Sequence, residues 1–438
     1  MQRAMPATIA IDLTRLITRL RHASPTGIDR VDLAYARHYL EGGPEGTRFG
    51  LVSTALGPRV LDRASARAIV ETVAAGWVED VTAEADPVFR DLAACLASDT
   101  PPARQAGGRR GGRGLHRRRL QAETLLRVLR ADGTDRLPQG TVYLHTSHLR
   151  LDLPARFDWL YTRRDVRPVF FVHDLIPISH PEYGRPGEAE RHASRMATVA
   201  RHAAHVLVNS GDVGERFARY LREQGLAPRP VSVVPLGVEP VFLDRGAGLP
   251  GLVRPTFLVC GTIEARKNHL LLLNVWRSLA ERLGAATPRL VVIGRRGWEI
   301  ESVADMLDRC PALRPHVSEV IGLSTHGLAR LMRGATALLM PSFIEGYGLP
   351  VVEAAASGLP VVASDIPVHR EIGGRFAHFL DPLDGPGWAQ AVTALSEPAS
   401  ALRAELAGRL AGYEPPSWAA HFERADAALD RLPAAVDL

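Results

Sequence analysis

The chain has 438 residues, 46% hydrophobic and 23% charged, with a net charge of +5. That length predicts two to three domains with ample core and excludes a disordered or fibrous chain. No run of about 18 apolar residues exists to span a bilayer. The three cysteines, Cys95, Cys260 and Cys310, show no paired spacing, which argues against a disulfide framework and for a reducing cytoplasm.

The N-terminus, MQRAMPATIAIDLTRL, lacks an uninterrupted apolar leader segment and reads as a first strand, Ala7–Asp12. Gly27-Ile28-Asp29-Arg30-Val31 then opens a helix with Ile28, Val31, Tyr35 and Tyr39 on one face. Further strands are predicted at Phe49–Ser53, Thr141–His145, Pro168–His173, Ala204–Asn209 and Val231–Val234. Between Phe49–Ser53 and Thr141–His145 lies PPARQAGGRRGGRGLHRRRL, residues 101–120. Its seven arginines, Arg104, Arg109, Arg110, Arg113, Arg117, Arg118 and Arg119, exceed the whole net charge. The segment reads as a solvated insertion or as a docking patch for anionic lipid or a lipid-diphosphate acceptor. Nucleic acid is not expected as a partner, because no aromatic residue is interleaved for base stacking. His173-Asp174 closes an apolar strand at its C-terminal end, where open α/β sheets bind ligands. His145 and His148 follow another strand and are candidates for lining an acceptor cleft or for a structural role.

The Gly- and Pro-rich stretch Asp244–Pro255 reads as a linker, with a boundary near Gly246. Beyond it, strands at Thr256–Cys260, Leu290–Ile293, Glu319–Ile321, Ala335–Met340 and Leu359–Ala363 alternate with helical patterns. The alternation in both halves predicts α/β layers with parallel sheets.

The densest signal is FIEGYGLPVVEAAASGLP, Phe343–Pro360, in which seven residues separate Glu345 from Glu353. Pro350 fits a first helical turn, and Gly358 fits the left-handed position after a last one. The loop Gly346-Tyr347-Gly348-Leu349 would then present backbone N–H groups at a helix N-terminus, ready for a phosphate or hydroxyls. Glu345 would precede the helix and Glu353 lie in its first turn. Eight helical steps span about 12 Å at about 1.5 Å each. Paired glycosidase carboxylates sit closer, at about 5–9.5 Å. Such a pair suits the two ends of one long ligand, such as a sugar joined to a nucleoside through a diphosphate. On residue type alone, two glutamates favoured near a helix N-terminus would serve as well.

These residues resemble the retaining glycosyltransferases of family 4, which carry a Glu-x7-Glu signature on a GT-B fold. Met340–Gly374, Val259–Trp276, Leu290–Trp298, Phe170–Gly184, Val206–Ser210 and Val233–Val238 all fit, so the resemblance covers most of Pro168–Leu380. The motifs are most similar to those of bacterial mannosyltransferases that build surface polysaccharides.

The resemblance implies two Rossmann-like, doubly wound parallel-sheet domains facing across a cleft. Residues 1–245 would form the acceptor side, with the Arg/Gly-rich insertion at about 101–120. Residues 246–414 would form the nucleotide-sugar side, and 415–438 a helix crossing back. It also implies that Glu345 and the amides of Gly346, Tyr347, Gly348 and Leu349 hold the donor sugar. Glu353 would take ribose hydroxyls. Lys267, Arg266 and Gly261 would meet the diphosphate, and His173 would support the sugar with Asp174 orienting its ring. Gly27 would let the backbone approach the diphosphate, although many relatives carry two glycines where this chain has Thr26-Gly27-Ile28. Thr262 likewise stands where the family commonly has an arginine. Gly294-Arg295-Arg296-Gly297 would form a nucleoside wall.

No Asp-x-Asp pair occurs, so a metal-independent enzyme without a cofactor is expected. The expected partners are a nucleotide-sugar donor and a glycan or lipid-linked acceptor, with peripheral contact at the inner face of an anionic membrane. Two other readings are a non-catalytic subunit binding a partner transferase and a nucleotide-sugar epimerase.

Overall fold

The structure, a computed structural model, describes residues 8–20, 25–77, 81–98, 123–244, 246–249 and 251–433. The Arg/Gly-rich insertion at 101–120 lies outside them. Two compact units emerge. The first holds the described parts of Met1–Trp77, Arg110–Gly237 and Trp418–Leu438; the second holds those of Val78–Arg109 and Val238–Ser417.

The first unit is built on a seven-stranded sheet. Its strands are β1 (Ile9–Asp12), β2 (Arg48–Thr54), β3 (Gly57–Leu61), β4 (Val142–His145), β5 (Arg167–Val172), β6 (His205–Val208) and β7 (Val231–Val233). Their order is β3-β2-β1-β4-β5-β6-β7, and only β3 runs antiparallel to its neighbour. Central parallel strands are covered on both faces, which is why IAID and PVFFV are buried along their whole length. In register, Ile9 lies opposite both Arg48 and Val142. Strand order reverses between β1 and β4, so the ends of these strands form a switch point.

The helix Gly27–Glu41 follows β1 and is opened by a capping box. Thr26 N–H donates to Asp29 Oδ2 at 2.7 Å, and Asp29 N–H donates back to Thr26 Oγ1. Its face of Val31, Tyr35 and Tyr39 is buried as the spacing predicts, with Ile28 half-buried. The last helix, Trp418–Leu429, packs on that face. Tyr39 donates to Asp426 at 2.8 Å, His421 Nε2 meets the Tyr35 hydroxyl at 2.9 Å, and the Phe422 ring lies edge-on to Tyr35.

The second unit holds a six-stranded, all-parallel sheet of β8 (Thr256–Cys260), β9 (Arg289–Ile293), β10 (Val317–Val320), β11 (Ala337–Met340), β12 (Val361–Ser364) and β13 (His378–Leu380). The order β10-β9-β8-β11-β12-β13 is the doubly wound one, with its switch point between β8 and β11. Two tryptophans are fully buried here, and both indole N–H groups find carbonyls: Trp276 that of Pro288 and Trp388 that of Asp381, each at 2.9 Å.

Three features depart from the sequence reading. The chain leaves the first unit at Gly237 rather than 245, and the last helix, which returns to it, begins at Trp418 rather than 415. Two short edge strands, β3 and β13, escaped periodicity because GPRVL opens on Gly-Pro and HFL has three residues. Residues 81–98, assigned by sequence order to the first domain, group with the second unit. The helix Pro87–Ser98 buries Phe89, Leu92 and Leu96. Phe89 sits over Gly327, whose added Cβ would come within 3.2 Å of the Phe89 Cβ, and Arg330 covers the ring. Asp86 caps the next element by accepting from Ser324 N–H at 2.7 Å. An amphipathic pattern announces that a face must be buried, not against which sheet.

Candidate active site

The second unit assembles its site at the switch point. Strand β8 ends in Gly261, whose φ of +133° favours glycine. The chain leaving β9 packs directly on it: a Cβ on Gly294 would lie 1.8 Å from the Gly261 carbonyl oxygen. Ile263 N–H donates to Arg295 O, and Gly297 N–H to Ile263 O, both at 2.8 Å. A short turn, Ala265–Lys267, ends at Asn268, which adopts φ +55°. Asn268 Nδ2 donates to Pro341 O at 3.2 Å and Pro382 O at 2.8 Å, while Phe343 N–H donates to Arg266 O at 2.8 Å. The loops after β8 and β11 are thereby tied together, and this tie brings Arg266 and Lys267 to Glu345.

The result is a buried ionic cluster. Lys267 Nζ donates to Glu345 Oε1, and Arg266 donates to Glu345 Oε2 at 2.7 Å and to Ile344 O at 3.1 Å. Ser342 Oγ donates to Glu345 Oε1 at 2.8 Å, and Arg266 also pairs with Glu264 at 2.5 Å. Glu345, Lys267 and Glu264 are all buried. Burial opposes ionisation of Glu345, but Lys267 and then Arg266 outweigh it and hold its carboxyl well below the usual range. For Glu264 burial prevails over Arg266 and Lys267, and its carboxyl is raised.

Above this cluster runs Gly346-Tyr347-Gly348. Gly348, at φ +96°, caps the helix Leu349–Ala356, which has Pro350 in its first turn. Gly358 follows at φ +74°, and Leu359 N–H closes the end by donating to Ala354 O at 2.9 Å. One expectation needs correction: Glu353 is not in the first turn, because the helix already opens at Leu349. It lies one turn deeper, buried, and its charge is felt at the end of β8, where it adds to burial in pushing the Cys260 thiol up.

His369, on the helix Pro367–Gly373, lies beneath the loop. Its Nδ1 faces Ser364 O at 3.0 Å and must carry the proton, while its Nε2 is buried without a partner. A Cβ on Gly348 would stand 3.7 Å from that nitrogen. Sequence reasoning missed His369, Ser342, Glu264 and Asn268, although all four fall within or beside the motif segments. Of the expected nucleoside wall, Arg296 is engaged by Asp308 and Glu319 at 2.7–2.9 Å, and Arg295 is exposed. Among the described residues, no three His, Cys, Asp or Glu side chains come together to hold a metal ion.

The remaining expected site residues belong to the first unit. His173, at the end of β5, is buried and gives Nε2–H to Thr146 O at 2.7 Å. Its main-chain N–H donates to His148 Nε2 at 3.2 Å, and its carbonyl accepts from Asn209 at 3.1 Å. Burial pushes its pKa down to about 4, so the ring is neutral, with Nδ1 as an acceptor.

Asp174 does not orient this ring. Its carboxylate instead accepts from Ile176 N–H at 3.1 Å, at the opening of the short helix Ile176–Ser179. The Thr146 carbonyl holds the ring instead. His145 and His148 do not line an open cleft: both are buried, His145 in a network with Tyr143 and Asp12, His148 against His173 and His192. Gly27 is exposed in the first turn of its helix.

Residues 254–397 match the family model for glycosyl transferases group 1. The serotype-specific mannosyltransferase WbdA of Escherichia coli is 28% identical over 249 residues, which is 54% of this chain and 30% of that protein. The O-antigen chain mannosyltransferase B of Escherichia coli is 31% identical over 227 residues, 50% of this chain and 58% of that protein. The chain thus spans less than two thirds of either relative's length. Among solved structures, Anabaena Alr3699/HepE in complex with UDP and glucose superposes with a TM-score of 0.61 at 14% identity, over 98% of this chain and all of that one. That likeness shows the fold, and the two doubly wound units are those of the GT-B class. Residues 254–397 thus resemble the glycosyl transferases group 1.

Proposed function

We propose that this chain, whose residues 254–397 match the group 1 model, moves a sugar from a nucleotide-sugar donor to a hydroxyl of a glycan or lipid-linked acceptor in surface polysaccharide synthesis. The observation that carries the reading is the buried Lys267–Arg266–Glu345 cluster under a glycine loop that opens a helix, at the switch point of the second sheet. Mannose is the favoured sugar, since the two curated relatives are named mannosyltransferases.

The chemistry follows from the charges. Departure of a nucleoside diphosphate builds negative charge that fixed donors must meet. Lys267, Arg266 and the amides of Gly346 to Gly348 supply such donors. Glu345 is suited to sugar hydroxyls, and the more deeply placed Glu353 to ribose hydroxyls. His173 offers an acceptor nitrogen to a sugar hydroxyl. With cations on the chain and no Asp-x-Asp pair, transfer proceeds without a metal ion. It retains anomeric configuration, the leaving phosphate assisting deprotonation of the acceptor; NMR of the product anomer distinguishes retention from inversion.

A thermal-shift screen against UDP-, GDP- and ADP-sugars tests the reading. A ligand at about 100 times its dissociation constant adds about 2.7 kcal/mol of stability. One base should shift the melting temperature clearly, and the absence of a shift with all three would contradict a donor site.

Among the described residues no helix is long and apolar enough to cross a membrane. Peripheral contact with an anionic membrane is proposed instead. Residues 123–129, just after the Arg-rich segment, are helical and expose Leu125, Leu126 and Leu129 at 59%, 51% and 61%.

A further inference from the structure

The cations suited to a diphosphate are already taken by the protein itself. Glu345 accepts from Lys267, Arg266 and Ser342 together, and Arg266 is shared with Glu264. Arg266 and Lys267 bring two positive charges, and Glu264 and Glu345 two negative ones, so the cluster is neutral before any ligand arrives. A diphosphate gains little from a neutral cluster. To reach the cations it must displace the Glu345 carboxylate, and a buried carboxylate deprived of its partners is strongly unfavourable. A nucleotide sugar offers a remedy, because its sugar hydroxyls can donate to the displaced carboxylate. The free nucleoside diphosphate has no sugar hydroxyls at that position.

We propose that Glu345 is an internal competitor of the diphosphate that makes the site discriminate donor from product. While the sugar is present, its hydroxyls satisfy Glu345 and the cations face the diphosphate. Once the sugar has left, Glu345 recaptures Lys267 and Arg266 and expels the nucleoside diphosphate. The exchange involves hydrogen bonds only, and no covalent bond forms or breaks. Space for it exists on the lysine side: Gly261 lacks a Cβ that would stand 3.3 Å from Lys267 Cε, so the lysine stem can swing. On the other side, Ser342 and the Ile344 carbonyl keep carboxylate and guanidinium in register for recapture.

The inference rests on the nucleotide-sugar reading, and calorimetry on the full chain separates the two. GDP, UDP, GDP-mannose and UDP-glucose are titrated into the parent, Glu345→Gln, Glu345→Asp and Lys267→Gln. Glu345→Gln should bind the free diphosphate of the preferred base about tenfold more tightly than the parent, a change of about 1.4 kcal/mol. Its affinity for the matching nucleotide sugar should not improve. Glu345→Asp keeps the charge but shortens the reach, and should move the same way by less; it serves if Glu345→Gln fails to fold. Lys267→Gln should weaken both ligands. Unchanged or weaker diphosphate binding in the folded Glu345 variants, with weakening in Lys267→Gln, overturns the competitor role and leaves the nucleotide-sugar reading standing. If the parent binds none of the four ligands, nor ADP or ADP-glucose, that reading falls, and the inference with it.

Discussion

At the scale of single residues, the site is decided by who holds which charge. Glu353 is buried one turn into its helix and sensed at the end of β8, so its carboxylate is suited to a nucleoside portion rather than to the reacting sugar. Glu353→Ala should therefore weaken donor and free nucleoside diphosphate together. A charged hydrogen bond is worth about 1.5–3 kcal/mol, which makes the loss at least about tenfold. Calorimetry decides it, and equal affinity in the variant removes the ribose assignment. The helix that carries Glu353 was legible in the sequence because Pro350 and Gly358 mark its start and its stop to within a residue or two. Glu264, Ser342 and His369 were not, because nothing local distinguishes them. Their roles come from the loops after β8 and β11 being tied by Asn268, a contact between residues 73 positions apart. The assignment of Asp174 to the His173 ring failed for a related reason: the ring is held by the carbonyl of Thr146, 27 positions away, while Asp174 accepts from Ile176 N–H.

At the scale of elements, tight approaches between loops set what can change. Gly294 stands where any Cβ would collide with the Gly261 carbonyl, so the turns after β8 and β9 must separate in Gly294→Ala. That variant should melt well below the parent and lose nucleotide binding, because Gly261 and the Lys267 turn share the displaced segment. A parent-like melting temperature would show that the turn yields without consequence.

The helix Glu188–His202 carries a different liability. His202 is buried beside Phe157 and Tyr161 with neither ring nitrogen bonded, and burial pushes its pKa down from 6.5 to about 4. His173 and His421 are lowered to about 4 in the same way. Folded-state pKa values below the unfolded ones mean that the unfolded chain takes up protons first. The stability these groups confer is complete above about pH 6.5 and is lost as pH falls toward 4. The melting temperature should hold between pH 7 and 8 and decline between pH 6.5 and 4.5. His202→Leu should make that decline shallower; an identical slope would show that His202 does not contribute.

At the scale of the whole molecule, the alternation of strands and helices predicted α/β layers with parallel sheets in both halves, and two doubly wound units are present. Periodicity reported which segments have an apolar face, and parallel sheets followed. It could not report that residues 81–98 would pack on the second unit, since that choice rests on Phe89 meeting Gly327 and Asp86 meeting Ser324. The proposed membrane contact also belongs to this scale. Replacing Leu125, Leu126 and Leu129 by serine, or the arginines between Arg109 and Arg119, should release the protein from anionic liposomes in co-sedimentation. Added salt should act like the arginine changes, because surface attraction is screened over about 8 Å at physiological ionic strength. Undiminished binding by both variants would contradict the proposed membrane contact of this segment.

The central claim is that this chain cleaves a nucleotide sugar using its own cations. It is tested most directly by measuring nucleoside diphosphate release from UDP-, GDP- and ADP-sugars in excess EDTA, for the parent and for Lys267→Met. The expected result is release from the sugars of one base, undiminished by EDTA and lost in the variant. Absence of release from every donor, restoration only by added magnesium or manganese, or parent-like release by Lys267→Met would contradict it.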